Sequence, residues 1–206
     1  MKLGLVAALV LSATVLTGCS DSPKLAGSAV LIDGKVIPAT TVADLVDRVR
    51  SQIQVSDPAL IPEVPSLVQI NQRAVARIVL VELLKEAAER EGLEVSDRDV
   101  ITYRDEVFAQ YSQEAIESQL VAQNAVPADN VDSFMHEILL QRMLMDKLAP
   151  QASTQTQTLA LFDYLTNLSK ELDVKLNPRF GTWDPENLIS NSGDTTLAVP
   201  LPISLG

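Results

Sequence analysis

Cys19 has the most distinctive chemistry in the chain. It is the only cysteine, so it has no partner for an internal disulfide, and a free thiol on an exported chain invites crosslinking. It follows Leu16-Thr17-Gly18 and precedes Ser20-Asp21-Ser22-Pro23. Small residues before a cysteine fit a narrow peptidase site, and the thiol behind them can carry lipid. The rest of the inventory is poor. His136 is the only histidine. On a helix beside Phe134 and Met135 it reads as a structural or surface residue, with no second histidine or free thiol to complete a metal site. There is no glycine-rich phosphate loop and no G-x-S-x-G elbow. Glu82, Glu86 and Glu89, with Lys85 and Arg90, read as a solvated helix face. A two-carboxylate glycosidase site usually comes with ring-stacking aromatics, yet aromatics are 4% of the chain and Trp183 is the only tryptophan. The expectation is a protein that is not an enzyme and uses no metal or cofactor.

The elements around Cys19 support its use as an anchor. Lys2 precedes an apolar run over residues 3–16, somewhat short of the about 20 residues a membrane span needs. Leu16-Thr17-Gly18-Cys19 closely resembles a bacterial lipobox. That predicts removal of residues 1–18, lipid on Cys19, a tether over 19–27 and a location on the outer face of the cell membrane. A lipobox cysteine is expected to carry at least two chains (palmitate or a similar acyl group), each buried methylene contributing ~0.8 kcal/mol. The formal charge is −11, and loss of Lys2 with the leader takes it to about −12. Such a chain is not a nucleic-acid binder and has no electrostatic attraction to anionic lipid.

The mature chain is of one-domain size and aliphatic. Ala29-Val30-Leu31-Ile32-Asp33-Gly34-Lys35-Val36-Ile37 reads as a strand, a turn at Asp33-Gly34 and a return strand. Thr40 or Thr41 is expected to cap a helix to about Gln54 with Val42, Leu45, Val46 and Val49 on one face. A proline-rich loop follows over 55–65. Ser66 opens the longest helix, closed by Gly92. Ser96 caps the next helix, with Val100, Tyr103, Val107 and Phe108, and Ser112 starts a short one. Pro127 suits the first turn of a helix to about Leu148, with Val131, Phe134, Ile138, Met145 and Leu148 as its stripe. Ser153 or Thr154 restarts a helix carrying Leu161, Leu165, Leu168 and Leu172. Val174-Lys175-Leu176-Asn177 reads as a short strand, and a disordered tail is expected over 185–206. The fold class is mainly α, about six helices, with a small two-stranded sheet formed by the N- and C-terminal segments.

Three segments carry a resemblance. The 29–37 segment resembles the opening of the SurA/PrsA-type foldase chaperones. Glu86-Ala87-Ala88-Glu89-Arg90-Glu91-Gly92-Leu93-Glu94-Val95-Ser96-Asp97-Arg98-Asp99-Val100 is similar to their helix end and turn. Val174-Lys175-Leu176-Asn177-Pro178-Arg179-Phe180-Gly181-Thr182-Trp183-Asp184 resembles their closing strand. The likeness covers about residues 28–184 and is nearest to small lipoproteins of high-GC Gram-positive bacteria. It implies a SurA N-terminal domain or trigger-factor-like peptide-binding fold. Members of that family usually insert parvulin domains of roughly 90 residues before the last helix. Here that junction is only Ala149-Pro150-Gln151-Ala152, so isomerase activity does not carry over.

The resemblance implies an ATP-independent chaperone binding unfolded exported polypeptides. Such work needs an exposed apolar cleft with adaptable side chains, which methionine supplies. Met135, Met143 and Met145 lie on one helix, and Phe108, Tyr111 and Phe134 are expected to line the same cleft. The tail segment Leu197-Ala198-Val199-Pro200-Leu201-Pro202-Ile203 suggests a pseudo-client or a partner-binding end, to be tested by deleting 186–206. The rival readings are an adaptor for one dedicated envelope partner and a small-ligand-binding lipoprotein. Oligomeric state is left open.

Overall fold

The computed structural model describes residues 27–191; residues 1–26, with Cys19 and the expected signal segment and tether, and residues 192–206 lie outside the described residues. The first hairpin forms as its sequence directs. Strand β1 (Ser28–Ile32) and strand β2 (Lys35–Pro38) flank Asp33 and Gly34, both at positive φ, 46° and 76°. Two positive-φ residues are what a two-residue turn needs to match strand twist. Val30 pairs with Ile37 and Leu31 with Val36. Alternation buries Val30, Ile32 and Ile37. Strand β3 (Lys175–Leu176) then pairs antiparallel with β1, Val30 opposite Leu176. Asn177 completes the closure, donating its backbone N–H to Ala29 O at 2.8 Å and its amide to Ser28 O at 3.0 Å. The ends of the domain therefore meet as expected, but in a three-stranded sheet of order β2-β1-β3 rather than a two-stranded one, because the return strand β2 stays paired with β1.

Six helices fill the interval: α1 (Ala39–Val55), α2 (Leu67–Glu91), α3 (Asp97–Gln110), α4 (Gln113–Asn124), α5 (Val131–Leu148) and α6 (Thr154–Glu171). No threonine caps α1. β2 runs straight into the helix, and Ala39 N–H is satisfied by Gly27 O at 2.9 Å. Helix α2 has the capping box expected at Ser66, with Gln69 as its partner. It ends at Gly92, whose φ of 64° puts it in the left-handed region that favours glycine. Ser96, Ser112 and Ser153 cap α3, α4 and α6. Pro127 opens a 3-10 turn (Ala128–Asn130) before α5 rather than α5 itself.

Helix α2 is the spine. Ala74, Val75, Val79, Leu83, Leu84 and Ala87 are buried in a core shared with the sheet, α1 and α6. A second core joins α3, α4 and α5 around Val100, Val107, Leu120 and Phe134.

The C-terminal boundary is corrected. Strands β4 (Thr182–Asp184) and β5 (Ile189–Asn191) form a second hairpin, so residues 185–191 belong to the domain. The loop is held by Asp184, which accepts from the N–H groups of Glu186 (2.9 Å) and Asn187 (3.2 Å) and from the Asn187 amide (2.8 Å). The Asn187 side chain and these N–H groups hold the Asp184 carboxyl below its usual range, against the effect of burial. Leu188 is buried beneath the hairpin. A deletion aimed at the tail must therefore begin after Asn191.

Candidate functional site

Five elements meet around a cleft of about 730 Å³. Helical spacing decides which side chains reach it. Helix α2 contributes Ile78, Val81 and Glu82, α3 contributes Asp97, Val100 and Ile101, and α5 contributes Ser133, His136, Glu137 and Leu140. Residues three and four apart share a face, so each helix shows the cleft one stripe. Ile37 of β2 and Leu45 of α1 complete an apolar wall. Ile101 is 47% exposed at this site, a large aliphatic surface left in water.

A buried ion pair lies among these residues. Arg77 Nη2 donates to Glu137 Oε1 at 2.7 Å, with side-chain exposures of 11% and 10%. The Arg77 guanidinium also sits over the Phe134 ring, 5.3 Å from its centroid. Burial pushes the Glu137 carboxyl up, opposed by Arg77. Burial likewise pushes Arg77 down, opposed by Glu137. Both directions say that desolvation outweighs mutual attraction, as is common for pairs removed from water. The pair joins α2 to α5 across the cleft.

Charges also ring the cleft. Glu82 takes Lys35 of β2 and Lys85 as partners. Burial raises its carboxyl, but the two lysines outweigh burial and leave it low. Arg48 of α1 donates to Asp129 at 2.9 Å and to Asn130 at 2.9 Å. Gln52 accepts the N–H of Ala128 at 2.7 Å. These bonds tie α1 to the turn ahead of α5. Among the described residues no group of three or more metal-binding side chains occurs, and no helix is long and apolar enough to cross a membrane.

Of the side chains expected to form a binding cleft, Phe108, Phe134 and Met135 meet in the second core, and none of the six lines this cleft. Phe134 (5% exposed) and Met135 (1%) are core residues. Phe108 is half-buried against the same core. Met145 packs against the first core, and the Thr158 hydroxyl approaches its sulfur at 3.8 Å. Met143 and Tyr111 are exposed. The reason is angular. At about 100° per residue, Met143 is turned roughly 80° from Met135 in one sense and Met145 roughly 80° in the other. One helix cannot present all three on one face.

His136 lines the cleft, half-exposed, in keeping with a structural or surface position. Sequence reasoning missed Arg77, Glu137, Arg48 and Ile101. A signal existed: Glu137 and Gln141 alternate with Leu140 and Leu144 on the buried stripe of α5, and Arg77 interrupts the apolar run of α2. A charge on the inward face of each of two helices is a pair waiting to be matched.

A family model described as a SurA-like N-terminal domain matches residues 1–144. It covers every cleft-lining residue named above and stops within α5, so α6 and β3 to β5 lie beyond the match. No curated protein and no solved structure matches the chain.

Proposed function

The chain belongs to the family of SurA-like N-terminal domains, and we propose that its cleft receives short apolar segments of unfolded exported polypeptides. In this reading the protein is an ATP-independent chaperone without prolyl isomerase activity, held at the outer face of the membrane by lipid on Cys19. Family membership supports a chaperone-like role in the cell envelope. The observation that carries the specific reading is the cleft itself: an apolar wall with the exposed Ile101, inside a charged ring. A cleft of this volume falls in the range that takes several side chains. The ring keeps the face wetted between clients, and weak affinity lets them leave. Only residues 149–153 separate α5 from α6, so no catalytic domain is inserted there.

The test uses mature protein with Cys19 replaced by Ser and two unrelated unfolded clients. Suppression of aggregation of both, lost in Ile101→Asp but kept in Leu159→Asp, supports the cleft. Leu159 is an exposed control residue (56%) that does not line the cleft. Suppression of neither client refutes a general chaperone and turns the search to one dedicated envelope partner.

A further inference from the structure

A second groove, of about 820 Å³, shares no lining residue with the cleft. Val174, Leu176, Phe180 and Trp183 line it, with Val68 of α2, which is 54% exposed. The Trp183 indole N–H donates to Ser169 Oγ at 2.7 Å. This pins the polar edge of the ring to α6 while the ring itself lines the groove. Its ionisable lining residues, Lys175 and Arg179, are both basic, in a chain of net charge −11; Lys175 is paired with the nearby Asp173, which leaves Arg179 as the main cation of the lining.

The groove also contains the point where the described chain ends, since Asn191 is one of its lining residues. Beyond it the sequence runs Ser192-Gly193-Asp194-Thr195-Thr196 and then Leu197-Ala198-Val199-Pro200-Leu201-Pro202-Ile203. Five residues of linker span at most about 17 Å, which bounds how far the apolar stretch can start from Asn191. A link this short holds it at an effective concentration on the order of millimolar. Pro200 and Pro202 preset the backbone dihedral that suits polyproline II, the conformation that aromatic-lined grooves accept at low entropic cost. Asp194, the single ionisable side chain over 192–206, is opposite in sign to Lys175 and Arg179.

We propose that residues 197–203 of the same chain occupy this groove as a built-in ligand, packed on Phe180 and Trp183. The assignment goes beyond the chaperone reading and does not depend on it, because the cleft and the groove are separate.

Trp183 is the only tryptophan, so its emission reports on the groove alone. The experiment compares the full mature chain, Cys19→Ser, with the same chain carrying Val199→Asp and Leu201→Asp. Retention of the fold by the variant is checked by circular dichroism. With the ligand released, emission shifts red by several nanometres and acrylamide quenching rises roughly twofold. A synthetic peptide of residues 194–206, added in excess, restores both values. Unchanged emission and quenching in the variant overturn the proposal, as does failure of the peptide to restore them. A signal that scales with protein concentration in the full chain assigns the groove to a second copy and overturns the intrachain seat. Equal restoration by an unrelated apolar peptide overturns the match between segment and groove.

Discussion

Replacing one member of the Arg77–Glu137 pair should harm the fold far more than replacing both. Arg77→Met keeps the side-chain stem but leaves the Glu137 carboxylate at 10% exposure without its hydrogen-bonded cation, Lys85 acting on it only through charge. Removing one partner from a buried pair costs about 3–5 kcal/mol, whereas an apolar pair of similar volume is often neutral or better. For a chain of this size each kcal/mol moves Tm by ~2–4 °C, so Arg77→Met and Glu137→Leu should each lower Tm by about 6–20 °C. The double variant should melt within a few degrees of the wild type. It also forgoes the Arg77–Phe134 contact, which is worth ~0.5–2 kcal/mol. The assay is urea and thermal unfolding by far-ultraviolet circular dichroism, read as a double-mutant cycle. Single variants that each cost under about 1 kcal/mol and simply add would refute the reasoning, because a pair behaving so is screened like a surface ion pair. The pH dependence supplies a second check. Glu137 has its pKa raised in the folded state, from an ordinary value of 4.5. Its stabilising contribution is thus fully present below 4.5 and is lost as pH rises through the raised value. The unfolding free energy of the wild type minus that of Glu137→Gln should therefore fall as pH rises from 4.5. A rise would mean that the attraction of Arg77 outweighs burial.

Other substitutions test other parts of the structure. Ile101→Asp should weaken binding of an unfolded client peptide about tenfold, for ~1.4 kcal/mol of lost apolar contact, in fluorescence anisotropy; unchanged affinity would remove the cleft from the binding site. Gly92→Ala meets no atom within 4 Å, so its cost is the left-handed backbone alone. That is ~1–2 kcal/mol, or a Tm fall of about 2–8 °C by calorimetry. Asp184→Ala removes the acceptor of the β4–β5 loop and should lower Tm by about 2–4 °C if it acts like a helix cap; no change would mean that the hairpin is held by Leu188 burial alone. Cys19→Ala should shift the chain from the detergent phase to the aqueous phase in partitioning, whereas retention in the detergent phase would rule out lipid as the anchor.

Much of the fold was legible because its signals are local. Asp33-Gly34 specifies a hairpin through two positive-φ positions, and Ser66, Gln69 and Gly92 bracket α2 within a few residues of its ends. The C-terminal hairpin was hidden for a comparable reason. Pro185, Glu186 and Asn187 look like a chain running out, and only Asp184 folding over them makes a turn. The spread of the three candidate methionines follows from angular position, which residue type does not carry. Met135, Met143 and Met145 are neighbours in sequence but not on the helix surface.

By itself the sequence determined the six helices, the first hairpin and the lone Cys19 behind an apolar run, since each depends on residues within one turn or one run. Only the tertiary structure decided which face of each helix is exposed to a partner. Arg77 and Glu137 lie 60 positions apart, and their pairing, like the cleft around it, exists only once α2 packs on α5. Burial and charge pairing over that distance depend on which helices pack together, and no local spacing encodes it.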